Sequence, residues 1–215
     1  MDVGNFIQAA AIYAIPIIFA ITFHEAAHGY VAKHFGDMTA YMQGRVSLNP
    51  IHHIDPIGTI VIPLVSLALG GFLFGWAKPV PINFGALRNP KKDMLWVAIA
   101  GPGSNFVMAL FWGLMLKIAT MMPGNYFASP LSVMANMGVK INIVLMMLNL
   151  LPIPPLDGGR VMVSLLPARQ AYRLAKIEPY GIIILVVLLF SGILGAIVGP
   201  LINIAINLIL QLFGL

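Results

Sequence analysis

Long apolar runs separated by short polar connections make up most of the chain. Residues 6–23 hold no charged side chain, and one long helix is predicted over residues 5–35. Later apolar stretches are also expected to be helical: residues 94–121, residues 131–150, and residues 180–215, the last as two helices separated near residues 195–200. Because about 20 apolar residues cross a bilayer, the pattern predicts an all-α polytopic membrane protein with about five transmembrane helices.

Two segments depart from this pattern. Residues 57–74 are apolar, but the segment is short and contains Gly58 and Pro63, so it is expected to be either a thin span or a re-entrant segment. Residues 41–48 alternate in polarity, which predicts a small β element near residues 40–48.

Composition supports a membrane location. The chain is 60% hydrophobic and 9% charged, whereas soluble proteins are roughly 25% charged. The net charge of +5 is spread over loops that flank apolar segments, which is typical of membrane proteins and argues against nucleic acid as a partner. The chain has no cysteine, so a disulfide or a thiolate metal site is excluded.

The predicted first helix carries the pattern H-E-x-x-H, formed by His24, Glu25 and His28. Residues four apart lie on one face of a helix, so the two imidazoles could share a zinc ion while Glu25 reaches a water on that metal. A simpler alternative is a pair of helix histidines at an interface. Ionisable groups in membrane segments are costly and usually functional, which favours the metal site.

A catalytic zinc usually has three protein ligands, and Asp157 is the best candidate for the third. The pattern around Asp37, Asp55 and Asp93 is typical of helix ends. Asp157 follows an apolar span and precedes two glycines, which let the backbone approach closely. An N-cap of the next helix is the alternative role for Asp157.

Charge distribution predicts the topology. The loops at residues 75–93 and 157–178 are basic and the connection at 123–130 is uncharged, so both basic loops are expected in the cytoplasm. Asp157 then lies near the cytoplasmic side. For the two histidines to meet it, residues 57–74 must be re-entrant.

Three motifs in order, FHEAAH, GPGSN and NLLPIPPLDGGR, resemble the site-2 protease family of intramembrane zinc metalloproteases over residues 19–165. The resemblance implies one Zn²⁺ per chain, held by His24, His28 and Asp157, with Glu25 as the catalytic acid/base. Asn149 resembles the family's substrate-contacting asparagine. A single integral-membrane metalloprotease domain is expected over residues 1–215, with the catalytic core at about 5–165 and C-terminal helices at about 180–214.

The chain resembles a small form of the family. Only about ten residues separate the predicted helices 94–121 and 131–150, which leaves no room for a PDZ module, and no CBS domain is expected. The small form suggests a multi-pass protein of a prokaryotic cytoplasmic membrane.

The function that follows is hydrolysis of peptide bonds in or near transmembrane segments of membrane-protein or peptide substrates, by zinc-activated water with Glu25 as general base. Asn149 could bind substrate or stabilise the transition state, or could form helix–helix hydrogen bonds. Asn105 is expected to serve helix packing more than chemistry. A strand containing Val46 and Leu48 could pair with unwound substrate. The alternative function is a zinc or ion transporter that uses the same His/Glu/Asp cluster as a transit site.

Overall fold

The computed structural model describes residues 3–61 and 77–215, and within these two ranges the chain is helical and has no strand. The longer elements are α1 (Val3–His34), α2 (Thr39–Met42), α3 (Pro90–Thr120), α4 (Ala128–Asn149), α5 (Asp157–Leu165), α6 (Ala168–Ala175), α7 (Gly181–Phe190) and α8 (Ile193–Leu212). Single turns of 3₁₀ helix form at Pro50–His53, Phe84–Ala86 and Glu178–Tyr180, and a π-helical turn forms at Pro56–Val61.

The first helix is confirmed as one continuous element of 32 residues. It ends in a Schellman arrangement, in which Gly36 has a φ of 107° and the N–H of Asp37 donates to the carbonyl of Ala32. The two Asp37 carboxylate oxygens accept the N–H groups of Thr39 and Asn83. Asp37 therefore has a structural role at a helix end, as predicted. Its carboxylate also anchors the loop after residue 77 to the end of α1.

Helices α3 and α4 form the predicted hairpin, joined by residues 121–127. Helix α1 packs against both, α5 packs against α3, and α8 packs against α4. The buried residues shared by α3, α4 and α8 form an apolar cluster that we call the hairpin core: Ala109, Trp112, Leu116, Ala135, Val139, Ile143 and Ile209. A second apolar cluster, the α1-end core, contains Ala32, Leu87, Met94 and Val97.

The predicted span number is not supported. In the described ranges three helices are long and apolar enough to cross a membrane, namely α3, α4 and α8. The C-terminal stretch does form two helices, but they separate at Ser191 and Gly192, not near residues 195–200. Gly192 has a φ of 75°, a left-handed conformation that interrupts the helix, whereas Pro200 lies inside α8. Helix α7 has ten residues, about half the length of a span.

The predicted β element near residues 40–48 is wrong. Residues 39–42 form the short helix α2, and residues 43–49 have no regular structure. Gly44 has a φ of 65°, which breaks extended backbone. The Arg45 guanidinium donates to the carbonyls of Lys78 and Pro79, so a side chain, and not a backbone ladder, joins these two segments. Val46 and Leu48 lie in this irregular segment, and their pairing with substrate stays a prediction.

The segment at residues 57–74 lies mostly outside the described residues. Its first part, through Val61, belongs to the π-helical turn. The choice between a thin span and a re-entrant segment therefore stays a prediction.

Candidate metal centre

The two motif histidines lie on the face of α1 that packs against α3. Both are buried, with 7% of His24 and 5% of His28 exposed. The residue opposite them on α3 is Gly101, where an added Cβ would lie 2.6 Å from His24 Cε1 and closer still to His28 Nε2. The site therefore requires a residue without a side chain at position 101.

Each imidazole is fixed through its Nδ1 atom. His28 Nδ1 lies 2.7 Å from the carbonyl oxygen of Val97, and His24 Nδ1 lies 2.7 Å from Asn105 Oδ1. A carbonyl oxygen can only accept a hydrogen bond, so both Nδ1 atoms carry the proton. In a neutral imidazole this leaves both Nε2 atoms with a lone pair. The two Nε2 atoms lie 3.0 Å apart.

Asp157 completes the cluster from the first position of α5. Its Oδ2 lies 3.2 Å from His24 Nε2 and 3.3 Å from His28 Nε2. No side-chain hydrogen bond caps α5, so the carboxylate does not act as the N-cap considered above.

The glycines after Asp157 explain how α5 reaches this position. A Cβ on Gly158 would overlap the backbone carbonyl of Leu150, and a Cβ on Gly159 would lie 2.7 Å from Pro154 Cα. Only glycine allows the start of α5 to pack directly on the backbone of the preceding loop. This close approach was predicted from the sequence.

The three donor atoms fit a zinc ion. Zinc takes nitrogen and oxygen ligands at about 2.0–2.1 Å in a tetrahedron, so its ligand atoms lie about 3.3–3.4 Å apart. The observed separations are 3.0, 3.2 and 3.3 Å. Asp157 Oδ2 is also buried without a hydrogen-bond donor among the described residues. Three lone-pair atoms that converge with no proton between them could hold one cation.

Glu25 lies beside this cluster and has its own partner. Its Oε2 accepts a hydrogen bond of 2.8 Å from the backbone N–H of Val80. Val80 lies between Pro79 and Pro81, neither of which has an N–H. The loop therefore presents a single backbone donor at this point, and that donor is directed at Glu25.

The other predicted site residues do not form part of the cluster of three candidate ligands. Asn149 Nδ2 donates to the carbonyl of Leu145 within α4. Val46 lies beside Gly29, and Leu48 is exposed. Asn105 was expected mainly to serve packing, yet it contacts a candidate ligand. Asn142 was not singled out, although a buried amide in an apolar span is costly unless it is hydrogen-bonded, which is a signal present in the sequence.

Comparison with known proteins decides the family. The model of peptidase family M50 matches residues 112–192. The chain is 39% identical over 203 residues to "Putative zinc metalloprotease YwhC" of Bacillus subtilis (strain 168), which covers 93% of this chain and 89% of that protein. The chain belongs to peptidase family M50, the site-2 protease family.

Two further relatives are less similar to this chain. "Putative zinc metalloprotease Rip2" of Mycolicibacterium smegmatis (strain ATCC 700084 / mc(2)155) is 31% identical over 175 residues. The protein of the same name from Mycobacterium tuberculosis (strain ATCC 25618 / H37Rv) is 26% identical over 176 residues. These two alignments cover 81% and 80% of this chain, and each covers 64% of the Rip2 protein. No solved structure matches the chain.

Proposed function

We propose that this M50 chain is an intramembrane zinc metalloprotease that hydrolyses peptide bonds within or near the transmembrane segments of membrane-protein substrates. The observation that carries the proposal is the convergence of His24, His28 and Asp157 on one buried point beside α3. Helix α3 is itself a candidate span, so the chemistry would take place between helices of the membrane domain. The names of the relatives support a zinc metalloprotease.

The chain's own residues have distinct roles in this proposal. A zinc ion held by the three donors would act as a Lewis acid and make water acidic enough to lose a proton near neutral pH. Glu25 would accept that proton and return it to the leaving amine. The Val80 N–H donates a hydrogen bond to the Glu25 carboxylate and limits its orientation. Asn149, close to the loop that leads to Asp157, would contact the substrate backbone.

The position of the site suggests access from the cytoplasm. Lys91 in the first turn of α3 donates to the carbonyl of Leu166 after α5, so the two basic loops lie at the same end of the molecule. The turn at residues 121–127 lies at the other end of α3. By the positive-inside rule the basic end faces the cytoplasm, and Asp157 lies near that end. In this proposal the whole chain forms a single membrane-embedded catalytic domain.

Zinc content tests the ligand set. The full chain, purified in detergent without chelators, is expected to contain about one zinc per molecule. Asp157→Ala should lose the metal because it removes one of three ligands, whereas Glu25→Gln should keep it. Wild-type protein without zinc, or Asp157→Ala with a full complement, would contradict the proposal.

Turnover tests the reaction. The probe is a set of single-span peptides in liposomes, each with a fluorophore and a quencher on either side of the apolar segment. Wild type should cleave at least one peptide, and Glu25→Gln should be slower by roughly 10²–10⁴-fold because a general base is lost. Zinc uptake into the same liposomes without any peptide cleavage would instead support ion transport.

A further inference from the structure

Asn142 lies at the end of a hydrogen-bonded chain that leads to the metal centre. Neither Asn142 on α4 nor Asn105 on α3 has any exposed surface. Asn105 Nδ2 donates to Asn142 Oδ1 at 3.0 Å, and Asn105 Oδ1 contacts His24 Nδ1 at 2.7 Å. An amide buried in a membrane helix costs free energy unless it is hydrogen-bonded, and here each amide is bonded on both sides.

Backbone carbonyls set the direction of every bond in this chain. Asn142 Nδ2 donates to the carbonyl of Gly138 at 2.8 Å, and a carbonyl cannot donate in return. The NH₂ group of Asn142 must therefore face Gly138, which leaves its oxygen facing Asn105. The Asn105 NH₂ group donates to this oxygen and to the carbonyl of Ala20 at 3.1 Å.

The same logic extends to the ligand. With its NH₂ group facing Ala20 and Asn142, Asn105 can offer only its oxygen to His24. His24 must then carry its proton on Nδ1, which leaves the lone pair on Nε2, the atom 3.2 Å from Asp157. Reversal of either amide would pair like groups and favour the tautomer that cannot bind a metal through Nε2.

We propose that Asn142 is a positioning residue for the metal centre: it orients the Asn105 amide and so holds His24 in the metal-binding tautomer. It acts through Asn105 and touches neither metal nor substrate. The inference rests on the proposed function, because it takes His24 as a ligand. It assigns a role in that site to α4, which contributes no ligand of its own among the described residues.

A purely structural role of Asn142 would have different measurable consequences. If Asn142 only joins α3 to α4, its replacement should lower thermal stability and leave zinc affinity and ligand geometry unchanged. The two roles are therefore separated by metal affinity and by the spectrum of a cobalt-substituted site, which reports the arrangement of the ligands.

The experiment uses the full chain in detergent, with zinc affinity measured by competition against a chelator and with Co²⁺ absorption recorded in parallel. Asn142→Leu has a similar size but no acceptor for Asn105, and we expect about tenfold weaker zinc binding and an altered cobalt spectrum. Asn142→Asp retains the acceptor and should restore most of the affinity. Asn136→Leu is the matched control, because Asn136 lies on the same helix and is only partly buried, and its zinc affinity should equal that of wild type.

Asn142→Ser provides a second route if the leucine variant does not fold. The short serine hydroxyl can still bond the carbonyl of Gly138 but cannot reach Asn105, so the same tenfold loss is expected. Wild-type zinc affinity and an unchanged cobalt spectrum in a folded leucine or serine variant would overturn the inference. Failure of the proposed function would give a different result from failure of this inference. In that case wild type would bind no zinc, or Asp157→Ala would keep its zinc.

Discussion

At the scale of single residues, two glycines of α3 that lie two positions apart have opposite surroundings. A Cβ on Gly101 would lie against both motif imidazoles, whereas a Cβ on Gly103 would have no atom within 4 Å. Since the helix continues through both positions, neither glycine is needed for its backbone conformation. The difference between them isolates the effect of filling the space beside the metal centre.

Gly101→Ala should therefore lower zinc affinity by about tenfold or more, because one methyl group displaces the Nε2 atoms from their shared point. Gly103→Ala is the matched control and should bind zinc as wild type does, with stability equal or slightly higher because alanine favours helix. Titration of the metal-free protein with zinc measures both. Equal affinities for the two variants would show that the space beside the imidazoles is not limiting.

At the scale of elements, the loop at residues 77–83 is held from two sides. Asp37 Oδ2 accepts the N–H of Asn83, and the Arg45 guanidinium binds the carbonyls of Lys78 and Pro79. Between these anchors the Val80 N–H bonds Glu25. The proposed base is thus oriented by an irregular segment that is itself held at both ends.

Val80→Pro removes this donor and should reduce peptide cleavage by roughly tenfold or more while zinc content stays at one per chain, because Glu25 loses the partner that orients it. Val80→Ala keeps the N–H and tests the side chain alone, so its turnover should remain close to that of wild type. The cleavage assay in liposomes and metal analysis of the same samples make the comparison. Unchanged turnover in Val80→Pro would mean that Glu25 does not depend on this bond.

Prediction from sequence succeeded best where one physical signal dominates an element. Apolar length identified α1, α3 and α4 within a few residues of their observed ends, and helix-end chemistry was correctly assigned to Asp55, whose Oδ1 accepts the N–H groups of Ile57 and Gly58. The strand near residues 40–48 was wrong because a short alternating pattern carries no information about Arg45 binding a distant loop.

In the candidate metal centre, too, local features could be predicted from the sequence and long-range contacts could not. The spacing of His24 and His28 and the glycines after Asp157 are local features, so the three residues that the structure brings together could be selected from sequence. The partners of these residues could not. Asn105 and Asn142 are 37 positions apart, and their contact depends on how α3 and α4 pack. Only the fold reveals which buried amide faces which helix.

At the scale of the whole molecule, the outer surface is apolar. Helix α8 presents a row of exposed apolar side chains at helical spacing: Ile193, Ile197, Leu201, Ile204, Leu208 and Leu212. In water such a surface would promote association, whereas in a bilayer it faces lipid. The basic residues of the loop before α3 and of α6 lie instead at one end, where Lys91 joins the start of α3 to the region after α5.

The orientation of that end can be tested with single cysteines, since the chain has none of its own. Arg169→Cys lies in the exposed basic helix α6, and Asn125→Cys lies in the exposed turn between α3 and α4. We expect a membrane-impermeant maleimide to label position 125 in intact bacterial cells and position 169 only after permeabilisation. The reverse pattern would place the proposed site on the outer side.

The two apolar cores bear on how the protein acquires its metal. The hairpin core and the α1-end core contain no candidate ligand, yet together they pack α1, α3 and α4. In zinc fingers the metal supplies the folding free energy itself; here the helices have their own packing. We therefore expect the chain to insert and fold during biogenesis before any metal arrives. Metallation would then be a separate, reversible maturation step, and cellular zinc supply would set the active fraction of an already assembled population.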